Sequence, residues 1–439
     1  MKLFNVLPIM AAAALLAACG SSSGGSSSDS DNNTSGNTGT SGNINAVAAN
    51  STKTLSPILK QLNYSATALN KEKSFAVEIG ENDVSMLLNL KASGDDGGIL
   101  VKEIIDPAGV TIYRAELKGE DFNVTSDVIK SAIAGENTIT AFLPSTPKMT
   151  LNKGTYRFVL QQVGDVNLSD AKVYVKSNPA GGDIDLTELA VDLNIFITDP
   201  NPIYRSAAFQ NTLKNDYKAN INTMLNPHRM TLDSVNVYVA DAAQTNAFKV
   251  IDDEDGDSFN NACRALYNVS DNDMALNALF IEDFKGGNAG SSPFAGVILD
   301  ADADETCFAV ARKAYSVIDG RSSNASEELQ QQAGNILHEA MHFMSLEHTT
   351  EMNGLTFDTI ADTPECDAAT YDGRDNPNPA FGDDGKGDKD GVVADHECGH
   401  AGGASNVLFW AGHPDFLPFS MTTDQAWVLK RHPLLRLAN

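Results

Sequence analysis

Between about Leu55 and Asn178, apolar residues fall in short runs at 75–79, 85–90, 98–104, 110–113, 154–160 and 171–175. Gly, Asp, Asn and Pro separate these runs. Short apolar segments bounded by turn residues predict strands, and their close succession predicts an antiparallel β-sandwich. The pattern changes near Ile184. Residues 189–197 alternate as a strand, a helix is expected from about Arg205 to Leu225 ahead of Pro227, and strands follow at 235–239, 278–281 and 294–299. Leu329, Ala333, Ile336, Leu337, Ala340, Met341 and Met344 then recur at steps of three and four, the stripe of an amphipathic helix. Ser326, or Asn324 with Glu327, can cap its start, where Glu327 and Glu328 suit the positive end of the dipole. A capping box, Thr422-Thr423-Asp424-Gln425, opens a last helix that ends before Pro433 and docks through Trp427 and Leu429. The fold class expected is therefore multidomain: an antiparallel β-sandwich over 51–180, then an α+β domain over 181–439.

The first fifty residues follow neither pattern. Lys2 precedes an apolar stretch to Ala18 that is too short for a membrane span and reads as a signal peptide over 1–18. Leu16-Ala17-Ala18-Cys19-Gly20 resembles a bacterial lipobox, which implies acylation of Cys19 and attachment to a membrane. Residues 19–50 then form a Ser/Gly/Asn-rich disordered tether. The expected location is the bacterial cell envelope; with no Asp just after Cys19, resemblance to lipoprotein sorting rules points to the outer membrane or cell surface.

The formal charge of −27 over 439 residues argues against nucleic acid as a partner, because phosphate contacts need a basic surface. Acidic groups cluster at Asp252, Asp253, Glu254, Asp255 and Asp257, and at Asp383, Asp384, Asp388, Asp390 and Asp395. Their simplest reading is solvated loops. Residues 388–397 fit part of a calcium loop, but Lys386 stands where its first ligand belongs. With Cys19 assigned to lipid, Cys263, Cys307, Cys366 and Cys398 imply two disulfides in an exported chain. Three connectivities exist, and the sequence-local pairing Cys263–Cys307 with Cys366–Cys398 is the one expected.

The chemistry lies in His338-Glu339-Ala340-Met341-His342, followed by His348. Histidines four apart share one helix face, so both can reach one ion, and a Glu beside the first is placed to act on a water there. On an unbroken helix His348 would be rotated by roughly 240° from His342. It can join them only if the chain turns back near Ser345, where a positive φ would cost Ser about 1–2 kcal/mol. Asp362 or Glu365 would be the substitute third ligand. A second match, His396-Glu397-Cys398-Gly399-His400, follows a run of turn residues, contains Gly399 and has Asn406 at the third-ligand spacing, so the first match is preferred.

His338-Glu339-x-x-His342-x-x-Ser345-x-x-His348 resembles the extended zinc motif of the metzincin metallopeptidases, with Ser345 where the family has Gly. The segment 357–366, containing Asp362-Thr363-Pro364, is similar to that of the pappalysin-like branch. Leu408, within Asn406-Val407-Leu408-Phe409-Trp410, takes the position of the family's Met-turn methionine. The resemblance covers roughly the last 250 residues. It implies a metzincin-like domain with a twisted mixed sheet and an active-site helix, zinc held by His338, His342 and His348, and Glu339 as general base in the hydrolysis of a protein or peptide. It adds Asp358 and Asp362 as candidate calcium ligands. The N-terminal segment is similar to small jelly-roll modules that accompany secreted bacterial peptidases. A surface binding protein on a degenerate peptidase scaffold is the rival reading, which the departures at Ser345 and Leu408 permit.

Overall fold

The computed structural model describes residues 46–65, 72–118, 121–126, 128–129, 132–178, 181, 183–252, 256–300, 303–315, 325–373, 391–412 and 414–438. The signal segment, Cys19, most of the tether, Asn324, residues 253–255 and the 374–390 part of the acidic run lie outside them. Among the described residues no helix is long and apolar enough to cross a membrane.

The chain is a mixed α/β protein in several sheets. Ten strands build the first: β1 (Ala46–Val47), β2 (Ser51–Ser56), β3 (Leu59–Asn63), β4 (Glu72–Ile79), β5 (Asp83–Ile105), β6 (Thr111–Lys118), β7 (Asp121–Thr125), β8 (Ala134–Gly135), β9 (Thr138–Leu143) and β10 (Gly154–Ser177). They form one hydrogen-bonded network, not two separate sheets. Four runs expected as separate strands are parts of two long ones. Residues 85–90 and 98–104 both lie in β5, and 154–160 and 171–175 both lie in β10. The glycines that look like turn signals instead permit close backbone approach where these two strands pair antiparallel. A Cβ on Gly94 would sit 2.4 Å from the Asp165 carbonyl, and one on Gly97 would sit 2.1 Å from that of Val163. Register shifts at Val159/Leu160, Asp165/Asn167 and Leu168/Asp170 bend the pair further.

The β5–β10 ribbon thus serves two half-sheets. One is completed by β4 and β6, the other by β3 and β9. Both halves send side chains into one buried cluster, Phe75, Tyr113 and Phe158 from the first meeting Leu88, Ile139 and Val173 from the second.

The second sheet contains β11 (Leu189–Ile197), β12 (Met230–Val239), β14 (Leu276–Ile281), β16 (Gly290–Ser291), β17 (Phe308–Ala311) and β18 (Arg436–Leu437); β13 (Val250–Ile251) and β15 (Asp283–Phe284) pair apart. Its order is β12-β11-β14-β17-β16, parallel except for the antiparallel edge strand β16, with β18 antiparallel beside β11. Each face carries a helix. Leu193, Ile195, Ile197 and Phe280 pack with Ala333, Ile336, Leu337 and Ala340 of the Ala325–Phe343 helix. Phe196, Leu279 and Ile281 pack with Phe259, Ala262 and Leu266 of the Gly256–Val269 helix. Cys263–Cys307 ties that helix to the chain entering β17, and Cys366–Cys398 closes the second bridge, so the sequence-local pairing is the one formed.

One expected strand is absent. Residues 294–299 form a loop with Ala295 and Leu299 at positive φ (56° and 58°). Their apolarity serves packing on the Ala325–Phe343 helix: a Cβ on Gly296 would lie 2.1 Å from the Phe343 ring. The strand preceding that helix is β17, at 308–311.

The two sheets share an interface. Leu59, Leu87, Phe142 and Tyr174, from the second half of the first sheet, belong to the same buried cluster as the Ala325–Phe343 helix. Polar groups register the contact. Lys91 and Lys172 bind Asp300 at 3.0 and 3.1 Å, Thr146 Oγ1 donates to Thr359 O at 3.0 Å, and Lys176 Nζ donates to the carbonyls of Lys430 and His432 at 2.6 and 2.9 Å.

Candidate metal centre

The Ala325–Phe343 helix carries His338, Glu339 and His342, and all three are buried. It ends where a third imidazole can return. Ser345 takes φ 76°; its N–H donates to His342 O at 2.8 Å, and the Leu346 N–H donates to Met341 O at 3.0 Å. Those two bonds and the left-handed residue make a Schellman stop. The chain then reverses, and buried His348 comes back beside the helix.

His338 Nε2 lies 3.0 Å from His342 Nε2 and 3.1 Å from His348 Nε2, and the ligating atoms of the three residues all fall within 4.8 Å of one another. The outer nitrogens decide what this means. His338 Nδ1 is 2.7 Å from Val407 O, His342 Nδ1 is 2.6 Å from Leu346 O, and His348 Nδ1 is 3.1 Å from Glu351 Oε1. A carbonyl or carboxylate oxygen only accepts, so each Nδ1 carries the proton and each Nε2 presents a lone pair inward. Three lone pairs that close repel one another unless a cation lies between them. Tetrahedral zinc with Zn–N near 2.05 Å would hold its nitrogens about 3.3 Å apart, close to the spacing found.

Electrostatics agree with that reading. Burial, then the neighbouring His348, push His338 down to about 3; burial also holds His342 well below the usual histidine range. Both rings are therefore neutral, the form that ligates. Burial pushes the Glu339 carboxyl well above the usual carboxylate range, and its Oε2 accepts no hydrogen bond from the described protein groups. An orphaned buried oxygen is costly unless a ligand or water meets it. Glu339 is pressed against the sheet edge: a Cβ on Gly290 of β16 would fall 2.0 Å from its Oε1. These residues fit zinc.

Leu408 is fully buried; the preceding carbonyl, Val407 O, orients His338, and Leu408 O accepts from Thr349 N at 3.0 Å. Asp358 and Asp362 are differently engaged. Asp358 Oδ1 accepts from Ile360 N and Thr363 Oγ1, and Asp362 Oδ2 accepts from Asp424 N. Among the described residues the His338, His342 and His348 group is the one cluster with metal-ligating geometry, and neither aspartate nor Glu365 belongs to it.

The second His-Glu-x-x-His is not a site in this structure. Its helix, Asp395–Cys398, is four residues long and stops at Gly399 (φ 56°), so His396 and His400 do not share a helix face. Glu397 is occupied as a cap, accepting from Ala394 N at 2.8 Å and Gly373 N at 2.9 Å, and Cys398 is in a disulfide.

Sequence reasoning missed the groups that orient the rings. Val407 O and Leu346 O are backbone atoms and leave no compositional trace. Glu351, three residues beyond His348, and Gly290, on the edge strand, were visible letters without a visible role.

No protein-family model matches the chain. No curated protein matches it. Among solved structures it is similar to the CspB protease of Clostridium perfringens at TM-score 0.16 and 18% identity, over 26% of this chain and 24% of that one. Metalloproteinase-II from Bacteroides fragilis aligns at TM-score 0.24 and 11% identity, over 45% of this chain and 59% of that one. A zinc-dependent peptidase from Methanocorpusculum labreanum aligns at TM-score 0.24 and 10% identity, over 38% of this chain and 87% of that one. The chain thus spans less than two thirds of the first two. At such low scores these likenesses carry no argument, and the functional reading stands on the geometry of the site.

Proposed function

We propose that this chain is a zinc-dependent endopeptidase of metzincin type, held at the bacterial envelope through lipid on Cys19, with the 181–439 segment as its catalytic domain. One observation carries the reading: three inward Nε2 lone pairs, fixed by their Nδ1 partners, converge at a helix that also carries the buried Glu339, whose Oε2 is unmet among the described residues.

His338, His342 and His348 would hold the ion, which supplies Lewis acidity that acidifies a water and polarises a scissile carbonyl. With a cation held beside it, which would favour its ionised form despite burial, Glu339 accepts the proton of the attacking water and returns it to the leaving amine. Its site excludes bulk solvent, which strengthens each charge interaction within it. The edge strand β16, without a side chain at Gly290, lies along the carboxylate, and an extended substrate is expected to add antiparallel to that edge.

Glu339→Gln should retain about one zinc per chain and lose peptide hydrolysis by at least ~10²-fold, the scale of general base catalysis. Zinc analysis paired with a protein-cleavage assay checks both halves. Undiminished cleavage by this variant sinks the assignment. The rival binding-scaffold reading predicts no zinc in gently purified wild-type protein.

A further inference from the structure

We infer that Glu351 is a positioning residue for the metal: its carboxylate fixes the tautomer and orientation of His348, and zinc retention depends on it. This rests on the zinc reading above and extends it to a residue outside the His-Glu-x-x-His motif.

The three imidazoles are held unequally. Backbone carbonyls, Val407 O and Leu346 O, hold His338 and His342, whereas a side chain, Glu351 Oε1 at 3.1 Å, holds His348. The first two rings also stand on one regular helix. His348 stands on chain that has just reversed, so its ring direction depends more on its outer partner. A carboxylate fits that role doubly, accepting the Nδ1 proton and raising the basicity of Nε2.

Glu351 is itself built in. It lies on a short hairpin in which Thr350 bridges Phe357, its N–H donates to Thr356 O at 3.0 Å, and its carbonyl accepts from Gly354 N at 2.8 Å. The chain flanking the Cys366–Cys398 bridge clasps this hairpin. Cys366 N donates to Thr350 Oγ1 at 3.0 Å, Ala368 N to Gly354 O at 2.9 Å and Val393 N to Met352 O at 2.8 Å. Gly354 has φ 60°, and a Cβ there would meet Ala368 N at 2.7 Å. The chain beside the disulfide, at Cys366, Ala368 and Val393, therefore holds the hairpin, the hairpin holds Glu351, and Glu351 holds the third ligand.

The test measures zinc affinity of the whole protein by competition with a chromophoric chelator, alongside unfolding of the metal-free forms. Wild type, Glu351→Ala, Glu351→Gln and His348→Ala are compared. Glu351→Ala should weaken zinc binding by about 10–100-fold. Glu351→Gln, which keeps an accepting oxygen and loses the charge, should recover part of that loss. Both metal-free variants should unfold at the wild-type midpoint, since the Glu351 side chain is 37% exposed. Equal zinc affinity in wild type and both Glu351 variants, with His348→Ala impaired, overturns the inference and leaves the zinc reading intact. Absence of zinc binding by wild type overturns both. Should Glu351→Ala fail to fold, the near-isosteric Gln variant decides the matter by the same criterion.

Discussion

Ser345 sits at φ 76° with its hydroxyl buried and, among the described residues, without a hydrogen-bond partner. Both features cost stability, and both follow from a side chain at a position suited to glycine. The strain is local, and the turn forms regardless, because its backbone bonds and the packing of Met341 and Leu346 hold it. Ser345→Gly should therefore raise unfolding stability by about 1 kcal/mol, somewhat reduced by the entropy that glycine adds to the unfolded chain. Urea unfolding measures this, and equal or lower stability would show that the serine is not strained. A turn near Ser345 was legible as the condition for His348 to join His338 and His342, and the structure meets that condition with a positive φ. The oxygen atoms that orient the rings were not, since two of them belong to the backbone. Nor was the role of Gly290, which exists only because β16 lies against Glu339.

Elements were legible where one local pattern decides them. The stripe of the Ala325–Phe343 helix lies in the main buried cluster, and Thr422 caps the Thr423–Arg431 helix through the box that its sequence spells. Patterns with two physical meanings misled. Glycines signal turns, yet in β5 Gly94 and Gly97 let the paired strand β10 approach closely. An apolar run signals a strand, yet 294–299 is a loop pressed on a helix end, with Ala295 N and Gly296 N bonded to His342 O and Phe343 O. The far end of the last helix shows how one element completes another. Its terminal carbonyls face the first sheet, where Lys176, fully buried, donates to those of Lys430 and His432, and Ser85 Oγ donates to that of Arg431. Burial, with Arg431 and Lys430 nearby, holds the Lys176 amine well below the usual lysine range. Even a neutral amine has two N–H groups for those two carbonyls. Lys176→Met keeps the volume and strands both acceptors, so a loss of about 2–4 kcal/mol is expected. Chemical denaturation measures it, and a loss under 1 kcal/mol would mean that water or another donor replaces the amine.

At the scale of the whole molecule, the two sheets are not beads on a string. Leu59, Leu87, Phe142 and Tyr174 complete the cluster that the Ala325–Phe343 helix occupies, and Lys91, Lys172, Thr146 and Lys176 register the contact. Those polar contacts reach Asp300 and Thr359, whose segments flank the loop at the helix end and follow the third histidine. Expressed alone, residues 181–439 should expose this apolar face and aggregate or unfold without cooperativity, because a patch of that kind needs cover. Light scattering and thermal unfolding against the full chain test this; a soluble fragment with the full chain's midpoint would show that the first sheet is dispensable for folding.

Composition and spacing by themselves determined the local matters: where most strands and helices fall, which helix carries the paired imidazoles and Glu339, and that His348 can join them only through a reversal near Ser345. These depend on periodicity and backbone sterics within a few residues. Only the tertiary structure decided which oxygen orients each imidazole, that the second His-Glu-x-x-His is taken up by a cap and a disulfide, and that the first sheet completes the core of the second. Such facts depend on groups far apart along the chain meeting within hydrogen-bond or van der Waals range, and no local pattern encodes the meeting.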